Sequence, residues 1–106
     1  MSKQFTASEQ IIAEATSWPG VKAGPGKRGE LSIKFERKEI GHLHGDHAAH
    51  FGFTKEMGAR LREEGRVTDH PVFPGKVAWA ARRIENEDDV RDVIEMLRMN
   101  YDRVAA

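Results

Sequence analysis

Four of the chain's five histidines fall within nine residues, in the segment Glu39-Ile40-Gly41-His42-Leu43-His44-Gly45-Asp46-His47-Ala48-Ala49-His50. Imidazole titrates near neutral pH and is also the commonest metal ligand. This spacing therefore suits proton transfer, paired hydrogen bonding to one small molecule, or a metal. If residues 40–44 are extended, side chains two apart share a face, which groups Ile40, His42 and His44 on one side and Gly41 and Leu43 on the other. At a rise of about 3.3 Å per residue the two imidazoles stand ~7 Å apart. Asp46 and His47 lie at the adjoining turn and can fold back toward the pair as ligand-binding groups. His50 has the parity opposite to Phe51 and Phe53 and is expected in solvent. A helical His-Glu-x-x-His would fix a metal geometry, whereas Gly-His-Leu-His-Gly on a strand does not. No residue is therefore assigned to a metal. His70, beside Pro71, joins His42 and His44 as a candidate acid or base if the sheet brings the segments together. Trp79 is placed to stack on a planar ligand.

The elements that must position these groups alternate in type. Thr6 with Glu9 fits a capping box ahead of the stripe Ile11, Ile12 and Ala15, and Trp18-Pro19-Gly20 ends that first helix. Gly24-Pro25-Gly26-Lys27-Arg28-Gly29 lacks the spacing and the Lys-Ser/Thr ending of a nucleotide loop and precedes a strand, so it reads as a plain turn. Leu31, Ile33 and Phe35 then alternate with polar residues as a strand with one buried face. Glu36 to Glu39 reads as a hairpin turn, Ile40 to His44 as the returning strand, Gly45-Asp46 as a second turn and His47 to Phe53 as a third strand. Thr54 caps a helix carrying Met57 and Leu61, closed by Gly65. Val77 to Ile84 forms another strand whose arginines reach solvent. Asn86 caps the last helix, Glu87, Asp88 and Asp89 complement its dipole, and Val90, Val93, Ile94, Leu97 and Tyr101 form its buried stripe. The sum is an α+β fold: an antiparallel sheet of about four or five strands with three helices, the C-terminal helix packed on the sheet.

A chain of 106 residues suits one domain over residues 1–106. Its 17 basic and 17 acidic side chains cancel, which leaves no field to steer nucleic acid or an anionic membrane. The absence of cysteine excludes disulfides and thiolate chemistry. Met1-Ser2-Lys3-Gln4-Phe5 carries no apolar signal core and no run approaches the ~18 apolar residues of a membrane span. A cytoplasmic protein with no nucleic-acid or membrane partner is expected. The residues specify no cofactor and no oligomeric state.

Gly41-His42-Leu43-His44-Gly45-Asp46, Arg60-Leu61 with Gly65, His70-Pro71-Val72-Phe73-Pro74 with Trp79, and Glu87-Asp88-Asp89-Val90 leading to Leu97 and Tyr101 together resemble the luciferase domain family. The family is named for the luciferase of luminous fungi and has many small bacterial members, and the resemblance runs from about Pro19 onward. Fungal luciferase oxygenates an electron-rich hydroxypyrone without a dedicated redox cofactor. A similar site implies a base that forms the substrate anion, with His42 and His44 as base and anion-orienting groups and His70 second to them. Activity belongs to the site and not to the fold, and no light emission is expected. The expectation is a histidine-lined pocket for a small aromatic or anionic ligand, serving cofactor-independent oxygenation or related proton transfer. The competing reading is a non-catalytic interaction or assembly module, which would show an apolar contact face and buried, satisfied imidazoles.

Overall fold

The structure, a computed structural model, describes residues 5–106; residues 1–4, part of the segment scanned for a signal core, lie outside the described residues. The elements run α1 (Ala7–Ala15), β1 (Val21–Pro25), β2 (Leu31–Phe35), β3 (Lys38–His44), β4 (Ala48–Gly52), α2 (Lys55–Glu63), β5 (Thr68–Asp69), β6 (Trp79–Arg83) and α3 (Glu87–Ala105). The strands form one antiparallel sheet in the order β1-β2-β3-β4-β6-β5. The α+β architecture and the C-terminal helix on the sheet match expectation. Six strands replace four or five. The two additional ones are an edge strand whose Gly24-Pro25 end reads locally as a turn, and the two-residue β5. Proline is tolerated at a sheet edge because no neighbour needs its missing N–H.

Local chemistry fixes the helices. Thr6 accepts from the Glu9 N–H (3.2 Å) while Glu9 accepts from the Thr6 N–H (2.8 Å), closing the capping box of α1. Thr54 and Asn86 cap α2 and α3 by accepting from the Met57 N–H (3.1 Å) and the Asp89 N–H (2.9 Å). The buried face of α3 is Val90, Val93, Met96, Leu97, Asn100 and Tyr101; Ile94 lies at its margin, partly buried. This helix packs on β2, β3 and β6, with α1 beside it. Tyr101 donates to the Pro19 carbonyl (2.8 Å) and meets Phe35 edge-on, which ties the helix end to the first turn.

The β2–β3 pairing contains a bulge. Ile33 faces Gly41, but Lys34 faces Glu39, so Ile40 is the additional residue. A bulge breaks the strict alternation of faces. Ile40 therefore enters the core with Leu43 rather than sharing a side with His42 and His44, as strict parity had it. Glu39 is delivered to the histidine side instead. β6 divides its arginines: Arg83 is exposed as expected, whereas Arg82 is held half-buried by Asp89 and Asp92 of α3 and donates to the Arg66 carbonyl (2.8 Å).

Candidate functional site

One sheet face packs under α3; the histidines occupy the other. The turn after β3 has three residues, 45–47, with Gly45 at φ 58°. This pairs His44 with Ala48 and sets His50 directly opposite His42. A two-residue turn would have set His50 across from Gly41. Because one residue of register exchanges the faces, turn length decides whether His50 joins the cluster.

His50 is not in solvent: it is 7% exposed. The segment 70–78 covers its face, and this cover is what strand parity could not reveal. The segment folds through successive tight turns, with Phe73 N–H on the His70 carbonyl (3.1 Å) and Trp79 N–H on the Lys76 carbonyl (3.0 Å). Arg62 of α2 pairs with Asp69 and donates to the carbonyls of Lys76 (3.1 Å) and Trp79 (2.8 Å). His70, 5% exposed, is thereby pressed onto the cluster.

The result is a connected set of four imidazoles. Ring centroids lie 5.0 Å apart for His42 and His44, 4.3 Å for His44 and His50, and 4.4 Å for His50 and His70. Phe73 and Trp79 pack at tilted angles beside His70, 40% and 41% exposed, and form an aromatic wall. With Arg28 and Glu30 from the β1–β2 turn they bound an open cleft of ≈ 460 Å³, within the roughly 300–1,000 Å³ usual for small-molecule sites. A larger groove, ≈ 790 Å³, runs between α1, Leu31 and Ile94, but no histidine lines it.

Hydrogen bonds assign roles to the rings. Glu39 sits 2.9 Å from His42 Nδ1 and accepts from Ser32 (2.6 Å) on its other oxygen. Partial burial pushes the Glu39 carboxyl up, but the bonds from His42 and Ser32 outweigh it and hold it below the usual range. The ionised carboxylate accepts a hydrogen bond from the Nδ1–H of His42, which leaves Nε2 as the ring nitrogen for the cleft. His70 Nδ1 instead accepts from the Val72 N–H (3.1 Å), so its proton lies on Nε2. His50 Nδ1 is buried without a hydrogen-bond partner among the described residues. Burial first, then the neighbouring imidazoles of His44, His70 and His42, push the His50 pKa down to about 4; burial with His42 and His44 lowers that of His70. The two buried rings, His50 and His70, are thus neutral at pH 7, and His70 offers its Nε2–H to the cleft.

Of the groups read from the sequence, His42, His44, His70 and Trp79 converge on this cleft. Asp46 does not: it accepts from the Ser8 N–H (2.8 Å) at the first turn of α1, and that bond holds its carboxyl low. His47 stands exposed on the same turn, apart from the cleft lining. Reading along the chain missed Glu39 and His50. The signal for Glu39 was its place three residues before His42, next to an isoleucine that belongs in the core. For His50 it was the three-residue turn.

The Luciferase domain family matches residues 37–100, from the start of β3 into the last turns of α3. The chain belongs to the Luciferase domain family. The matched span is narrower than the expected one from Pro19, yet it holds Glu39 and all four cleft imidazoles. It omits α1 and β1–β2, so Arg28 and Glu30 on the cleft rim lie outside the family match. No curated protein and no solved structure matches the chain. No helix among the described residues is long and apolar enough to cross a membrane.

Proposed function

We propose that this luciferase-domain protein binds a small planar molecule bearing an acidic hydroxyl, a phenol, enol or hydroxypyrone, and removes its proton. The observation that carries this reading is the cleft itself: four clustered imidazoles under an exposed Trp79–Phe73 wall. The aromatic wall takes the face of the ring. A lone pair on the floor, His42 Nε2 foremost, takes the hydroxyl proton, with Glu39 stabilising the imidazolium that forms. His70 Nε2–H then donates to the oxygen left charged. An electron-rich anion of this kind is what cofactor-independent oxygenation requires, so the family name and the chemistry of the cleft point the same way. The open cleft and the unpartnered His50 nitrogen favour ligand chemistry over an assembly module, whose imidazoles would be satisfied.

The test is a titration of the full chain with 4-hydroxy-2-pyrone and phenol probes in the presence of EDTA, followed by imidazole NMR shifts and tryptophan fluorescence. Trp79→Phe separates the Trp79 signal from that of Trp18. Saturable shifts at His42 and His70 are expected, with affinity falling about tenfold or more in His42→Ala, the cost of one lost hydrogen bond to a charged group. Oxygen uptake on the bound anion would extend the reading to oxygenation. No shift at any of the four rings across the probe set would sink it.

A further inference from the structure

We propose that His42, His44 and His50 together hold one divalent first-row transition-metal ion on the floor of the cleft. Strand parity alone offered two imidazoles and no unique geometry. The hairpin register adds the third. One ligating nitrogen from each ring falls within 4.8 Å of the other two. An ion bound at about 2.0–2.1 Å requires nitrogens roughly 3.3 Å apart in a tetrahedron, so modest side-chain rotations close the set around it. All three residues stand on paired strands, which fix their backbones more tightly than loops would.

Two further observations point to a cation rather than to a bare polar patch. Glu39 on His42 Nδ1 is the carboxylate–imidazole arrangement that orients a ligating ring and raises its basicity. The buried His50 Nδ1 has no partner, and a buried polar nitrogen left unpaired is costly. His70, adjacent to His50, has Nδ1 engaged by the Val72 N–H and its proton on Nε2, so it is a donor and stands outside the ligand set. Three imidazoles with a position left open toward the cleft suit zinc and its first-row neighbours. The ion itself does not depend on the ligand reading. Resting on that reading for the ligand alone, with His42 Nε2 bound to the ion and no longer the base, the ion would take the ligand's ionised oxygen at its open position, the proton leaving to solvent, while His70 Nε2–H donates to the same oxygen.

The full chain, stripped with EDTA and dialysed, is titrated with Co²⁺ by visible absorption and with Zn²⁺ by calorimetry. Saturation at one ion per chain is expected, with the cobalt bands of a four- or five-coordinate site. His44→Ala and His50→Ala are each expected to weaken binding at least about 100-fold, whereas His47→Ala leaves it unchanged. Circular dichroism checks folding; His44 is exposed, so His44→Ala remains decisive if His50→Ala unfolds. Lack of saturable binding, wild-type affinity in His44→Ala, or an equal loss in His47→Ala overturns the proposal. Hydroxypyrone binding in EDTA without Co²⁺ binding would remove the ion and leave the ligand cleft; the reverse would do the opposite.

Discussion

Glu39 sets which nitrogen of His42 faces the cleft, and it does so from a half-exposed position where its removal leaves the core untouched. Glu39→Gln keeps the shape and removes the charge, so the bond to Nδ1 no longer enforces one tautomer. Long-range ¹H–¹⁵N spectra should change from a single Nε2-lone-pair form of His42 in the wild type to a mixture. Probe or ion affinity should fall about tenfold, the low end for loss of such a supporting carboxylate, with an unchanged unfolding midpoint. A single tautomer and wild-type affinity in Glu39→Gln would remove this positioning role. His42, His44, His70 and Trp79 were legible because they are sequence-local or chemically conspicuous. Glu39 and His50 were not, since one depends on a bulge and the other on a turn length and a covering loop, and none of these leaves a periodic trace.

Helix α2 acts on the cleft through the segment it holds. Its Gly58 packs against the Val77 carbonyl so closely that a Cβ there would collide with backbone rather than with a mobile side chain. Helix propensity argues for Gly58→Ala, by about 1 kcal/mol. The collision argues against it and should win, giving a net destabilisation of about 1–3 kcal/mol, typical of forced overpacking. Gly65→Ala makes a useful contrast. Nothing lies near its Cβ, but φ is +74°, so a loss of about 1–2 kcal/mol comes from left-handed backbone alone. Urea unfolding measures both. Probe affinity at the cleft should fall in Gly58→Ala, because the 70–78 segment shifts, and should hold in Gly65→Ala. A Gly58→Ala variant as stable as wild type would show that the contact yields. The caps and the stripe of α2 were readable from sequence; its bearing on Val77 was not, because a glycine's close contact has no side chain to announce it.

Across the whole molecule, α3 joins the two halves of the sheet. At its far end Asn100, fully buried, donates to the carbonyls of Ile40 (3.0 Å) and Gly52 (2.9 Å) on separate strands. The first bond serves the bulged residue, so the helix stabilises the irregularity that carries Glu39 to the cleft. At its near end, Asp89 and Asp92 hold Arg82 of β6, and Asp92 with Glu95 holds Arg66. Side-chain bonding from Arg82, followed by the Glu85 N–H, keeps the Asp89 carboxyl below its ordinary range. A carboxyl that binds its proton less readily when folded than when unfolded adds stability in full above the unfolded pKa, about 3.9, and loses it as pH falls through the folded value. Asp89→Asn removes that contribution, while Arg82 retains Asp92. Urea midpoints of wild type and variant should therefore stay apart by a constant amount from pH 7 to about 5, then converge as the wild-type carboxyl protonates below about 4. A gap that persists unchanged to pH 2 would mean that Asp89 acts through packing and capping alone.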